Sequence, residues 1–406
     1  MLTTLIYRSD LHHDLSADSL NKLIERARSN NEKVSVSGIL LFDGRTFFQI
    51  LEGPRESVNA TYNLICRDDR HNNFTLLLRD YAPQRRFGLT GMEIYDLRNA
   101  DRAAVFNAIL PERCFASAQT YEDRPVRFLR SFLEDKNRSR YIKVAMVSKE
   151  NFSQQTIPLH EELNTCPASR RWKFAFQPIV DTLDQKVIAF EALIRSPSGG
   201  SPQELFSSMT KDELYHADLV SKESAFIRAS HIGLVNRKVS VNLLPGSLVS
   251  QPDGVDRLLA LVASAGLMPE QVVVEVTEDE IISNFSEFQV AIDKLKAAGI
   301  SLAIDDFGAG FAGLSLLSQF QPDKLKIDRK IITGIHHSGA KQAIVQAILQ
   351  CCASLEIAVI VEGVEEVEEW AWLQAAGARY FQGFLFARPA LNGEMIIHWP
   401  GEASLP

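Results

Sequence analysis

Apolar residues at the start of the chain recur first at every second position and then at every third or fourth, the two periods that separate a half-buried strand from an amphipathic helix. Leu2 to Tyr7 reads as a strand, and Ser16 stands where it can cap a helix carrying Leu20, Leu23, Ile24 and Ala27 on one side as far as Asn30 and Asn31. Ile39 to Phe42 and Thr46 to Leu51 are apolar runs joined through Asp43-Gly44, a dipeptide that tolerates the positive φ of a tight hairpin. Pro54 suits the first turn of a helix faced by Val58, Tyr62 and Ile65, because its missing N–H would be unpaired there anyway. Phe74 to Leu78 and Thr90 to Tyr95 complete an order βαββαββ, which predicts a small ferredoxin-like α+β sheet over residues 1–95, with helices on one face.

From 96 to 165 the pattern weakens. Ala103 to Leu110 and Val126 to Leu133 predict short amphipathic helices, followed by the charged stretch Glu134 to Arg140, so a helical connector is expected here. From 166 to 406 short β-rich runs alternate with helical patterns. The runs are Lys173 to Ile179, Val187 to Arg195, Val239 to Leu243, Val272 to Thr277, Ser301 to Asp306, Lys324 to Ile327, Ala358 to Val361 and Tyr380 to Phe384. They predict a TIM-barrel-like (β/α)8 domain, with an open doubly wound sheet as the alternative α/β architecture. The chain as a whole is then a multidomain protein, α+β followed by α/β.

Composition narrows this picture in three ways. At 406 residues the chain exceeds what one core of ~250–300 residues usually organises. Hydrophobic residues at 46%, charged residues at 23% and no run of ~18 apolar residues predict a soluble protein with no membrane span, and the start lacks the pattern of an export signal, which predicts a cytoplasmic protein. A net charge of −8 disfavours long nucleic acid, whose binding needs Lys and Arg against many phosphates. The five cysteines lack the paired spacing of a zinc site and are given no chemical role.

Polar residues stand where the apolar runs end. Glu191 follows Ile188-Ala189-Phe190, Asn242 follows Val239-Ser240-Val241, Glu275 interrupts Val272 to Val276, Asp305-Asp306 follows Leu302 to Ile304, and Glu362 follows Val359-Ile360-Val361. In a parallel barrel these carboxyl ends converge on one mouth. Acids crowded there raise one another's pKa unless a cation neutralises them, and an all-oxygen set suits hard cations such as Mg²⁺ or Mn²⁺. Any one of them alone reads as well as an ordinary strand-end residue. Lys326 and Asp328 lie two apart, on one side of a strand, where Lys326 suits either a water or phosphate near the acids or a salt bridge inside the barrel. Gly308, Gly310 and Gly313 formally match a dinucleotide loop, yet they follow Asp-Asp-Phe rather than the strand itself and read better as a loop over the site. His12-His13 and His336-His337, being adjacent, read as solvated.

Glu191-Ala192-Leu193-Ile194-Arg195 resembles the name-giving motif of EAL domains. It is joined in order by Phe176-Gln177-Pro178, Ser240-Val241-Asn242, Glu275-Val276-Thr277-Glu278, Asp305-Asp306-Phe307-Gly308, Lys326-Ile327-Asp328, Glu362-Gly363-Val364-Glu365 and Gln382-Gly383-Phe384. The resemblance implies a cyclic di-GMP phosphodiesterase that makes linear pGpG with two divalent metal ions. It assigns Glu191, Asn242, Glu275, Asp305, Asp306 and Glu362 to the metals, with Asp305 bridging, and Lys326 to the attacking water. Gln177, Leu193, Arg195 and Asp328 go to the substrate, and Glu278 to support of the loop after Asp306.

Residues 1–95 resemble a BLUF domain, a blue-light sensor holding FAD between two helices. Tyr7, Asn31, Gln49 and Met92 stand at positions matching its flavin-side network, and Thr90 stands where some members carry a tryptophan. Together the two resemblances imply a light-regulated enzyme acting as a homodimer.

Overall fold

A computed structural model describes residues 2–11, 17–82, 85–87, 91–98, 100–109, 124–134, 152–159, 172–196, 199–200, 202–234, 237–250, 253–277, 285–309, 316–317, 321–391 and 393–400. The chain divides into two compact units, Met1–Lys143 with Gly334–Ile344, and Val144–Thr333 with Val345–Pro406.

In the first unit β1 (Leu2–Leu11), α1 (Ala17–Lys33), β2 (Ser37–Phe42), β3 (Thr46–Pro54), α2 (Arg55–Ile65), β4 (His71–Ala82) and β5 (Gly91–Asp96) follow the expected order. The strands are longer than their apolar runs suggest, because ladder hydrogen bonds continue past the residues that carry the hydrophobic signal. They form one sheet in the order β4-β1-β3-β2-β5, in which β2 and β5 are parallel and the other pairs antiparallel. Gly44, at φ +100°, closes the β2–β3 hairpin as its sequence requires.

Alternation along the strands builds two cores. Leu5, Tyr7, Leu40, Phe47, Leu51 and Met92 line one face, where Val58 of α2 packs. Ile6, Ile39, Leu41, Phe48, Ile50 and Leu78 line the other, where α3 (Arg102–Ile109) and α4 (Arg124–Leu133) bury Val105, Ile109, Val126, Leu129 and Leu133. Each such side chain contributes roughly 1.5–3 kcal/mol when fully buried, so the two connector helices are an integral layer of this unit. The segment Gly334–Ile344 also packs within this unit. Ser338 pairs with Leu76 as an isolated parallel bridge, and His337 Nδ1 lies 2.8 Å from the Phe74 carbonyl. His337 is exposed, as its sequence suggested, and its ring also meets that carbonyl; His12 and His13 lie outside the described residues.

In the second unit β6 (Ser153–Leu159) pairs with β15 (Gly393–Trp399) as a separate two-stranded sheet. The remaining strands, β7 (Lys173–Asp181), β8 (Lys186–Arg195), β9 (Lys238–Asn242), β10 (Val272–Thr277), β11 (Ser301–Phe307), β12 (Lys324–Ile327), β13 (Ala358–Val361) and β14 (Tyr380–Phe381), close into an eight-stranded barrel. One expectation is corrected. β7 runs antiparallel to both β8 and β14, and no helix separates β7 from β8. Only Thr182 to Gln185 connect the pair, too few for the dozen or more residues that a parallel crossover needs. The other strands remain parallel, so their carboxyl ends share one mouth.

Candidate active site

The mouth of the barrel is built around Lys326, which is fully buried on β12. Its Nζ lies 2.5 Å from Glu362 Oε1, 2.8 Å from Glu275 Oε2, 3.2 Å from Asp305 Oδ1 and 3.4 Å from Glu191 Oε2. These acids come from four other strands, Glu191 within β8, Glu275 within β10, Asp305 near the end of β11 and Glu362 just past β13.

Four carboxylates around one ammonium leave a surplus of negative charge in a site largely closed to water. Burial pushes Glu275 up to about 8, against the pull of Lys326 and with the push of Glu191 and Asp305. Glu362 is raised for the same reasons. Asp306 is pushed up to about 6 by partial burial, Asp305 and Asp328. Burial alone would pull Lys326 down, but Asp305, Glu191, Glu275 and Glu362 together hold it well above its usual value.

The geometry of the oxygens is specific. One oxygen each from Glu191, Glu275 and Asp305 lie within 4.8 Å of one another, and so do oxygens from Asp305, Asp306 and Glu362. The two groups share Asp305. Asp306 adopts φ +53° where the strand turns into its loop, a conformation uncommon for a residue with a side chain. Glu275 Oε1 is buried and has no hydrogen-bond partner among the described residues, an exposed debt of solvation that a cation would settle. The donor set therefore fits a pair of hard divalent ions.

Around this cluster, Asn242 Nδ2 donates to Glu191 Oε1 at 2.8 Å. Gln177, on the antiparallel β7, stands opposite Glu191 in register and donates to the Ala387 carbonyl at 3.0 Å. Leu193 and Arg195 continue β8 beyond Glu191, both half-buried. Asp328 caps the short helix Arg329–Ile332 through Lys330 N at 2.7 Å and sits beside Asp306. Glu278 lies outside the described residues. One contributor carried no assigned role in the sequence reading. Gln382, buried at the end of β14, donates to Glu191 Oε2 at 2.6 Å and to Gln177 Oε1 at 3.1 Å. Its signal was the same as that of the acids, a polar residue ending an apolar strand. Gly383 beside it is required by close approach, since a Cβ there would fall 2.1 Å from the Val364 carbonyl oxygen.

The first unit holds a second polar cluster. Tyr7 Oη donates to Gln49 Oε1, and Gln49 Nε2 reaches Met92 Sδ at 3.4 Å, all buried on the sheet face that carries α2. Burial keeps the Tyr7 phenol well above its ordinary pKa, hence protonated and a donor. Asn31 on α1 is buried, and its Nδ2 has no partner among the described residues, so it has a donor to offer a bound acceptor.

A family model described as EAL domain matches residues 160–389, and one described as sensors of blue-light using FAD matches residues 2–93. The chain is 47% identical over 403 residues to the blue light- and temperature-regulated antirepressor BluF of Escherichia coli K12, covering 98% of this chain and 99% of that protein. It is 30% identical over 243 residues to the cyclic di-GMP phosphodiesterase NbdA of Pseudomonas aeruginosa, which is 58% of this chain and 31% of that protein. Among solved structures, the manganese/cy-diGMP complex of Klebsiella pneumoniae BlrP1 superposes with a TM-score of 0.89 at 44% identity, covering 98% of this chain and 99% of that one. A further BlrP1 structure, with FMN and cyclic diGMP and no metal ions, gives 0.84 at 41% over 98% and 99%. With an EAL match over more than half its length and relatives alike from end to end, this chain belongs to the EAL domain family and joins that domain to an N-terminal BLUF sensor.

Proposed function

We propose that this chain is a blue-light-regulated phosphodiesterase that hydrolyses cyclic di-GMP to linear pGpG. The observation that carries the reading is the pair of three-carboxylate groups sharing Asp305, with a buried Glu275 oxygen left unpartnered. Glu191, Asn242, Glu275, Asp305, Asp306 and Glu362 would hold two ions, Mg²⁺ or Mn²⁺. When bound, such ions would neutralise the acids and supply the Lewis acidity that phosphodiester cleavage needs. Water adds its oxygen to phosphorus as the P–O3′ bond breaks, one of its protons ending on the leaving 3′-oxygen and the other on the new phosphomonoester or in solvent, which opens the ring. Lys326, whose Nζ lies within 3.4 Å of four acids of the cluster, is placed to orient the water. Gln177 and Gln382 hold the Glu191 side of the mouth, leaving Leu193, Arg195 and Asp328 to meet the nucleotide.

In the same reading residues 1–95 are a sensor that takes FAD against Tyr7, Asn31, Gln49 and Met92, residues 96–165 connect, and residues 166–406 are the enzyme. The BlrP1 structure with FMN supports a flavin in this domain and leaves its identity to be measured. Extraction of the flavin from purified protein and its chromatographic identification decide between FAD and FMN. Among the described residues no helix is long and apolar enough to cross a membrane. The reading takes the protein as a cytoplasmic homodimer, which sedimentation of the purified chain and fractionation of cells test directly.

The test of the activity is chromatographic. Purified protein with Mn²⁺ should convert cyclic di-GMP to pGpG, and a chelator should stop it. A second reading has one observation behind it. BluF is named an antirepressor, which points to a protein partner rather than to turnover. Cyclic di-GMP bound tightly but never cleaved, with every metal supplied, would favour that reading.

A further inference from the structure

Asn242 spends its amide nitrogen on Glu191, which leaves Oδ1 as the only atom it can offer a cation. That oxygen sits on the last residue of β9; Leu243 N just beyond it still donates to the Glu275 carbonyl at 2.9 Å, so the turn proper starts at Leu244, and what fixes that turn bears on Asn242 two residues before it. The turn is gripped by one face of α5 (Lys211–Ile232). Asp218 Oδ2 accepts from Leu244 N at 2.9 Å and from Ser247 Oγ at 2.7 Å, while Oδ1 pairs with Lys222 Nζ. Tyr215, one turn earlier on the same face, packs so closely on Gly246 that a Cβ there would fall 2.1 Å from its ring. Asp218 is 7% exposed, Lys222 4% and Ser247 0%.

Burying an ion pair costs desolvation that an apolar pair of similar volume avoids, so packing alone does not call for these residues. A carboxylate does what an apolar side chain cannot. It accepts from Leu244 N, which lies between the end of β9 and α6 (Pro245–Val249) and outside both ladders. We propose that Asp218, braced by Lys222, is a positioning residue for the metal site, fixing the Leu243–Ser247 turn and through it the Asn242 oxygen. The inference rests on the reading of Asn242 as a metal ligand.

The experiment is direct Mn²⁺ titration of the full chain, following free Mn²⁺ by electron paramagnetic resonance, alongside steady-state kinetics. Asp218→Leu should weaken one of two Mn²⁺ sites on the order of 10-fold or more, the range in which the partners of metal ligands act. Asp218→Asn, which keeps an acceptor for Leu244 N but loses the ion pair, should fall between Asp218→Leu and wild type and covers the case in which the Leu variant does not fold. KM for cyclic di-GMP at saturating Mn²⁺ should stay unchanged. Asp181→Asn is the control, because Asp181 is as buried as Asp218 and charge-paired with Arg379, and it ends β7 at the β7–β8 turn. It should lower the melting temperature without moving Mn²⁺ affinity. If Asn242→Ala weakens Mn²⁺ but neither Asp218 variant does, the positioning role falls and the ligand assignment stands. If Asn242→Ala binds Mn²⁺ as wild type does, both fall. If Asp181→Asn weakens Mn²⁺ as much as Asp218→Leu, the effect is general loosening and the positioning role falls.

Discussion

Two buried polar clusters, one in each unit, are made in opposite ways. Around Tyr7, Gln49 and Met92 every partner is neutral and each contact is a single hydrogen bond, contributing about 0.5–1.5 kcal/mol net. Around Lys326 every partner is ionisable, and removing one member of a buried ionic set costs roughly 3–5 kcal/mol. The first cluster can exchange donors and acceptors at small cost, because a Gln amide carries both at one end of the side chain. The second can rearrange little, and its surplus of carboxylates asks for cations. A sensor needs the first kind of chemistry, and a site that must hold reacting groups in place needs the second.

The largest expected effect breaks the charged cluster. Glu191→Gln or Asp305→Asn should reduce hydrolysis to background while leaving the flavin absorption spectrum unchanged, since each removes a carboxylate of the candidate metal cluster and neither residue belongs to the sensor. Substantial turnover by either variant would sink the assigned site. Next, Lys326→Ala should lower kcat by about 10²–10³ with a smaller change in KM, the signature of a group acting on the reacting water. An effect confined to KM would make Lys326 a substrate contact.

The neutral cluster is tested by light. Blue illumination should raise hydrolysis in wild type and not in Gln49→Leu; a coupling of ~1–3 kcal/mol would correspond to roughly 5–150-fold if expressed in binding. Equal responses from the two proteins would show that Gln49 does not report excitation. Replacing α3 and α4 by a flexible linker should abolish the response, because these helices cover the back of the strand that carries Gln49; a variant that keeps its flavin spectrum and responds fully would show that the signal takes another route.

The smallest effect concerns acid stability of the sensor. His71 lies between Phe47 and Phe74, ring centroids 4.7 and 5.7 Å away, and burial holds it at about 4, with Asp68 pulling it back up. Its folded-state value is below its unfolded one, so its neutral form carries stability that is fully present above pH 6.5 and lost as pH falls toward 4. The loss should be roughly 3 kcal/mol, seen as a fall in the denaturation midpoint that His71→Phe does not share. A midpoint with the same pH dependence in both proteins would remove His71 from the account.

Much of this was legible before any coordinates. The βαββαββ order, the eight barrel strands within a few residues of their ends, and the polar residue closing five of those strands follow from periods of two and 3.6, which are local properties of the chain. What the periods carry is which side of its own strand a residue faces. They carry nothing about stagger between strands, direction across a short turn, or which distant groups meet. The tertiary structure decided that β7 runs backwards, bringing Gln177 opposite Glu191, and that Asn242 reaches Glu191 although Glu191 is level with Ser240 in the ladder. It also decided that Lys326 lies among four carboxylates rather than beside one, and that Asp218, on a helix whose pattern gave no sign of chemistry, grips the turn after Asn242. The reason is physical: strand and helix faces are written in neighbouring residues, whereas barrel closure and its shear are collective, so the contacts that make the site belong to no single segment.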